Sequence, residues 1–257
     1  MMILNKIENL LFKFSIRNKY RINTHKNFCD LYYFKKEKIY RKLSNKKKGI
    51  ARLREEFKGL KWYCNLKKKN YKKVIKNYSF DKKKAYLDLH EIEGFKLKSW
   101  QPLKKNYKHL FRFYNYHKKI FPKSKTFKIH GDLTLDNIIL KKNDFFIIDW
   151  EFFGVGKKAK GYDLAYLFLS SICLPYLIEK KISAENEKLF IRLWKLLLKD
   201  KINKQIIFDP FYFFEKNIKK EILFKESLKL SKSKFFPFLL SRKMKQNILK
   251  IIIKNLN

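Results

Sequence analysis

The sequence predicts an α+β chain of two lobes: a small β-rich N-terminal lobe with one main helix, and a larger, mostly helical C-terminal lobe. Three observations predict it. Up to residue 93, runs rich in Tyr, Phe, Ile and Leu bracket a single stretch with helical spacing. Beyond Gly94 the apolar spacing of three and four dominates. Between them in character lies a short loop-and-strand region, 129–154, that gathers a histidine, an asparagine and several carboxylates. The lobes are accordingly placed at 1–93 and 94–257. A chain of 257 residues, 46% hydrophobic and 17% aromatic, is long and apolar enough to bury a sizeable core.

In order, CDLYYFKKEKIYRKL (29–43) reads as two strands flanking a KKEK turn. KKGIARLREEFKGLKWYCNL (47–66) carries apolar residues at Ile50, Leu53, Phe57, Leu60 and Tyr63/Cys64, an amphipathic helix. KKVIKNYSF and KAYLDLHEIEG, joined by DKKK, add two strands, so the first lobe reads β-β-α-β-β. KSWQPLKKNYKHLFRFYNYHKKIF (98–121) has helical spacing through Leu103, Tyr107, Leu110, Phe113, Tyr114 and His117, and Pro122 ends it. TFKI enters the first acidic loop, and NIIL and FFIID form a hairpin over KKND. Helices follow at roughly 161–180, 184–200, 204–232 with breaks, and 237–255. The cleft between the two lobes is the natural place for a site.

The net charge of +40 by itself points to nucleic acid or an anionic membrane surface. The lysines are scattered along the whole chain, though, and Ile, Asn, Phe and Tyr abound while Gly (7) and Pro (5) are rare. That pattern is the one AT-rich coding produces. No specific nucleic-acid partner is therefore expected, and a weak association with an anionic membrane surface stays open. Cys29, Cys64 and Cys173 are odd in number and far apart, with no metal-ligand spacing, which fits reduced thiols and a cytoplasmic location. The N-terminal MMILNKIENLLFKFSIRNKYR is broken by charge and lacks a small-residue cleavage site, unlike a signal peptide. LAYLFLSSICLPYLI (164–178) is too short to span a bilayer and reads as a buried helix. Oligomeric state leaves no mark in the sequence.

The chemistry concentrates in IHGDLTLDNIIL (129–140) and FFIIDWEFFG (145–154). Because the hairpin folds back on itself, Asn137 and Asp149 can meet. Their oxygens are hard ligands suited to Mg²⁺, which leaves Asp132 to serve as a general base. Metal ligands, a base and a cation over phosphate are what phosphoryl transfer from a nucleotide requires. The cation expected is Lys42, at the end of the second hairpin strand, on one face with Tyr40 and paired to Glu56 on the following helix. Arg41 with Glu55 is the alternative pair. Structural readings stand beside these. His130 braces the loop rather than acting as an acid, Gly131 serves loop conformation, Asp136 caps or turns the loop, Asp163 caps a helix, and Glu151 sees a second metal or only solvent.

HGDLTLDNIIL, IIDWEFFG and GYDLAYL together resemble the motif set of the aminoglycoside phosphotransferase and choline kinase family, which has a protein-kinase-like fold. YLDLHEIEG is similar to that family's hinge, and RLREEFKGLKWY to its small-lobe helix. The resemblance runs from about residue 29 to about 170; beyond that the chain matches only in being helical. It implies that Asp132 is the catalytic base, that Asn137 and Asp149 bind magnesium, and that Lys42, partnered by Glu56, contacts the phosphates of ATP. It also implies that the backbone of His90–Ile92 meets the adenine ring and that Asp163 braces the catalytic loop. Two departures are visible. Thr134 and Leu135 stand where family members often carry His-Pro, and the chain has no glycine-rich phosphate loop. RINTHKNF resembles the Ser/Asn-containing loops of this family, which gives Asn23 and Asn27 a phosphate-side role.

The function expected is an ATP- and Mg²⁺-dependent phosphotransferase acting on a hydroxyl of a small molecule such as a sugar, a sugar derivative or a choline-like amino-alcohol. The alternative is a non-catalytic kinase-like protein that binds nucleic acid or an anionic membrane surface. The C-terminal third is poor in carboxylates, which argues against an aminoglycoside acceptor. Aromatics such as Trp194, Phe211, Tyr212 and Phe213 suggest a cage for choline.

Overall fold

The computed structural model describes residues 19–24, 29–121, 127–142, 144–156, 160–200, 202–219 and 236–256. Its first part is a five-stranded antiparallel sheet in the order β1-β2-β3-β5-β4. The strands are β1 (Lys19–Thr24), β2 (Asp30–Phe34), β3 (Ile39–Ser44), β4 (Ile75–Phe80) and β5 (Ala85–His90), with helix α1 (Lys47–Leu66) between β3 and β4. The fold is thus the expected α+β arrangement, with one strand more than the sequence reading gave. β1 was missed because only Tyr20 and Ile22 alternate in KYRINT, among cations. Charged side chains are common on a strand with one open edge, and that is where β1 sits.

Helix α1 forms where the helical spacing places it. Ile50, Leu53, Leu60, Tyr63 and Cys64 make its buried face. At its C-terminal end the Lys67 ammonium holds both oxygens of Asp144 at 2.8 Å. The same ammonium lies 5.1–5.7 Å from the rings of Tyr63, Tyr116 and Phe146. This seats the end of α1 on the second part of the chain.

The chain leaves β5 and turns at Gly94, whose φ of +153° would strain any side-chain-bearing residue. A Cβ there would also sit 2.7 Å from the Leu140 carbonyl oxygen. The close passage lets β6 (Phe95–Lys96) pair with β8 (Ile138–Lys141), which in turn pairs with β9 (Asp144–Ile147) in the expected hairpin, Ile138 opposite Ile147. β7 (Phe127–Ile129) pairs with β10 (Gly154–Gly156), placing Ile129 opposite Gly154 and closing a loop around the acidic segment.

The helices are α2 (Leu103–Ile120), α3 (Tyr162–Glu179), α4 (Ala184–Lys199), α5 (Lys204–Phe208), α6 (Pro210–Lys219), α7 (Phe236–Leu239) and α8 (Arg242–Leu256). α2 begins at Leu103, the first residue of its apolar spacing. Pro102 is its N-cap, and a proline disfavours helical backbone in the residue before it. α3 is apolar on every side, and all of Tyr162–Tyr176 is buried. A helix of that kind belongs at the centre of a core, and it lies against α2 and α4. No described helix is long and apolar enough to cross a membrane.

Candidate active site

Strand alternation decides which cation of β3 enters the cleft. Arg41 faces one side, where its guanidinium forks onto Asp88 with two bonds of 2.6 Å and lies 4.6 Å from the Tyr86 ring. Lys42 faces the other. Its ammonium donates to both Glu56 oxygens at 2.8 Å and also to Asp149 Oδ1. Glu55 meanwhile pairs with Lys58 at 2.9 Å. Of the two strand–helix pairs considered from sequence, Lys42 with Glu56 is the one formed, and it brings Asp149 with it.

One ammonium between two carboxylates leaves the cluster short of positive charge. Burial works against the Lys42 charge, but Asp149 and then Glu56 outweigh it and hold the ammonium well above its ordinary value. Burial pushes the Glu56 carboxyl up to about 7, against the pull of Lys42. For Asp149 burial also acts upward, yet Lys42 prevails and the carboxylate stays below its usual range. Asp149 keeps 38% of its side-chain surface accessible although protein surrounds it closely enough to perturb its charge. The group is therefore held by Lys42 yet still within reach of a ligand. Its backbone is left-handed, φ 64°, a conformation that costs a non-glycine residue about 1–2 kcal/mol. Such strain collects at functional sites, and here it sits on the residue whose carboxylate meets Lys42.

The loop 130–137 is held by backbone bonds from several sides. Asp163 accepts the N–H groups of His130 (2.8 Å) and Gly131 (3.1 Å), and the Tyr162 hydroxyl donates to the Gly131 carbonyl at 3.3 Å. Asp163 is therefore a brace and not a helix cap. Gly161 occupies the N-cap of α3 and makes no side-chain cap bond. Burial pushes the Asp163 carboxyl up to about 7, with the two N–H groups pulling it down. The tautomer of His130 follows from its partners. Nδ1 accepts from the Asp132 N–H at 3.3 Å, so Nε2 carries the proton and donates to the Ile148 carbonyl at 2.8 Å. Burial drives this imidazole down to about 4. It is a neutral strut between Asp132 and the strand end that carries Asp149.

Asn137 completes the connection. Its Nδ2 donates to the Asp132 carbonyl at 2.9 Å, and its own carbonyl accepts the Ile148 N–H at 3.0 Å. The amide nitrogen being committed, Oδ1 is the end left for a ligand. Asp136 turns away: it accepts the Ser99 N–H (3.4 Å) and donates its own N–H to Ser99 Oγ (3.1 Å). Asp132, Asn137 and Asp149 are thus linked by single hydrogen bonds through His130 and Ile148. Among the described residues no group of three or more His, Cys, Asp or Glu side chains is placed to hold a metal; Asn137 Oδ1 and the Asp149 carboxylate are the two hard oxygens on offer.

At the end of β5, the His90 N–H donates to Val74 and the Glu91 N–H to Lys38, both at 2.8 Å. The Ile92 N–H meets no backbone carbonyl among the described residues. Asn23 lies in β1, opposite Leu31, rather than in a turn; Asn27 lies outside the described residues. Trp194, Phe211 and Phe213 are core residues, 0–3% exposed, and the Trp194 indole donates to the Ile207 carbonyl. Only Tyr212 of that set is exposed, so these four do not form a cage.

Two contacts escaped the sequence reading. Glu151 meets the buried Arg52 of α1 at 3.4 Å, and Tyr166 of α3 lies beside Asp132. The signal for the first was present: Arg52 stands four residues before Glu56, on the helix face that meets the site.

No protein-family model and no curated protein matches the chain. Among solved structures it is similar to an aminoglycoside phosphotransferase from Streptomyces rimosus, at TM-score 0.44 and 13% identity over 98% of each chain. It is also similar to a choline kinase from Streptococcus pneumoniae, at TM-score 0.37 and 13% identity over 98% of this chain and 92% of that one.

Proposed function

We propose that this chain is a phosphotransferase that moves the terminal phosphoryl group of ATP, with Mg²⁺, to a hydroxyl of a small molecule. The observation that supports this most is the convergence of Lys42, Glu56 and Asp149, tied through Ile148, His130 and Asn137 to Asp132. A fixed cation, two hard oxygens and a carboxylate in one connected unit are the parts the reaction uses. Lys42, kept charged by its two carboxylates, anchors phosphate oxygens while Glu56 fixes its direction. Asn137 Oδ1 and Asp149 would hold Mg²⁺, an ion that takes few protein oxygens and fills its remaining positions with phosphate and water; bound there it would offset phosphate charge. Asp132 receives the acceptor's proton as the acceptor oxygen bonds to phosphorus and ADP departs. The Ile92 N–H is the hinge donor best placed to be free for adenine.

For the acceptor, a sugar or sugar derivative fits better than a polycation. Carboxylates of the helical part already serve lysines: Asp200 with Lys118 (2.5 Å), Glu215 with Lys245 (2.5 Å) and Glu185 with Lys104 (3.2 Å). A ligand at one hundred times its dissociation constant adds about 2.7 kcal/mol of stability, worth about 5 °C or more in melting temperature for a chain of this size. MgATP should produce such a shift, and hydroxyl compounds screened with MgATP should include sugars that release ADP ahead of any aminoglycoside. A melting temperature indifferent to MgATP would overturn the proposal.

A further inference from the structure

Tyr166 is a phenol where an apolar ring would pack as well. It is 0% exposed, and three rings fix its plane: Tyr162 stacked at 5.9 Å and 7°, Phe214 edge-on at 5.3 Å, and Phe236 edge-on at 4.6 Å. Its hydroxyl is sealed from water and makes no well-aligned hydrogen bond among the described residues. Stranding a hydroxyl in that way is destabilising, a penalty Phe would avoid, so the oxygen calls for a reason.

The reason lies in what the hydroxyl faces. Tyr162 and Tyr166 are spaced i and i+4 and so share one face of α3, with Asp163 about 100° round from Tyr162 at the end of the helix nearest the loop. Tyr162 and Asp163 already grip the loop, Tyr162 through the Gly131 carbonyl and Asp163 through the His130 and Gly131 N–H groups. Tyr166 stands one turn further along, its ring parallel to that of Tyr162, so its hydroxyl lies on the side of the loop that the Tyr162 hydroxyl meets at Gly131, within range of the Asp132 charge. Burial and then the Asp132 charge hold its phenol well above its ordinary value, so it keeps its proton and can only donate toward that carboxylate.

We propose that Tyr166 is a positioning residue for Asp132: its hydroxyl donates to the Asp132 carboxylate and fixes the direction in which that carboxylate accepts a proton. The catalytic part rests on the reading of Asp132 as the base; the contact itself does not, and the two can fail separately.

A stability cycle tests the contact without any substrate. Denaturation midpoints are measured for the wild type, Tyr166→Phe, Asp132→Ala and the double variant. Phe keeps the ring, so folding is preserved. Tyr166→Phe is expected to lower the midpoint in the wild-type background and to leave it unchanged or raise it when Asp132 is already Ala. Additive effects, or a midpoint that rises equally in both backgrounds, would overturn the proposal. Positioning is read from MgATP turnover, with water as acceptor or with any sugar that supports it. Tyr166→Phe should lower kcat by about 10-fold while the KM for ATP stays put, since a misdirected base does not weaken nucleotide binding. A coupled cycle with unchanged kcat would reduce Tyr166 to a structural contact and overturn the positioning role. Activity absent from the wild type as well would count against the phosphotransferase reading, and the cycle would then decide the contact alone.

Discussion

At the scale of single residues, buried histidines and buried carboxyls act on stability in opposite senses. His117 stacks on Phe121 at 3.9 Å and 5°, and its Nε2 is sealed without a partner among the described residues. Burial drives it down to about 3, and His130 likewise to about 4. Both sit below their unfolded value near 6.5, so their contribution is complete above pH 6.5 and drains away as pH falls through that window. Glu56 and Asp163, held up to about 7, do the reverse: they favour the fold as pH falls from 7 toward the ordinary carboxylate range. The wild-type profile between pH 4.5 and 6.5 should therefore be nearly flat. Replacing His117 with Phe removes one of the two histidines and tips the balance toward the carboxyls. Because the ring is only half-buried, its stabilisation relative to wild type should grow by about 1–2 kcal/mol from pH 7 to pH 4.5, which denaturation at the two pH values would measure. A constant difference would mean that His117 titrates normally. The Lys42–Glu56 pair was legible from sequence as one of two, because the strand period puts Arg41 and Lys42 on opposite sides without saying which side meets the helix. For Asp163 the residue pattern alone suggested a cap, because a cap and a brace both ask for an aspartate at the start of that helix; the family resemblance supplied the brace that its bonds to His130 and Gly131 show. Tyr166 was hidden by its likeness to any core aromatic.

At the scale of elements, the site depends on how closely α1 approaches the end of β9. Gly59 is the contact point: a Cβ there would lie 2.7 Å from the Trp150 Cβ and 3.1 Å from the Phe153 Cβ. Two effects compete in Gly59→Ala. Helix propensity favours Ala by about 1 kcal/mol, while overpacking a filled core costs about 1–3 kcal/mol. The clash is with branch-point atoms of the fully buried Trp150, which have no flexible end to swing aside, so the clash should win. Trp150 follows Asp149 in the chain, and α1 carries Glu56. The variant should thus melt lower and bind MgATP more weakly, in a thermal melt and a titration; a raised melting temperature would show that the two elements have slack. The sequence reading placed α1 over the residues observed, since its apolar spacing is unambiguous. It missed β1, whose signal is two apolar residues among cations, and it offered Trp194, Phe211, Tyr212 and Phe213 as a ligand cage because aromatic content says nothing of which helix face is buried.

At the scale of the whole molecule, the two parts meet through charge and hydrogen bonds as well as packing: Lys42 with Asp149, Arg52 with Glu151, and Tyr63 with Tyr116 at 2.6 Å. Each joins the sheet-and-helix part to the part that carries the loop 130–137 and Asp149, so the candidate site and the fold share their supports. The lobes and the acidic loops could be read in the sequence from where the period changed and where rare residue types gathered. The supports could not, because a contact between segments about 50–110 residues apart leaves no local pattern. The central claim is that Asp132 takes a proton during transfer while Asn137, Asp149 and Lys42 hold the nucleotide. The most direct test compares Asp132→Asn with the wild type for MgATP affinity and for acceptor-dependent ADP release. Affinity should be nearly unchanged and turnover should fall by roughly 10²–10⁴-fold, the range for losing a positioned acid–base group. Turnover equal to that of the wild type would contradict it.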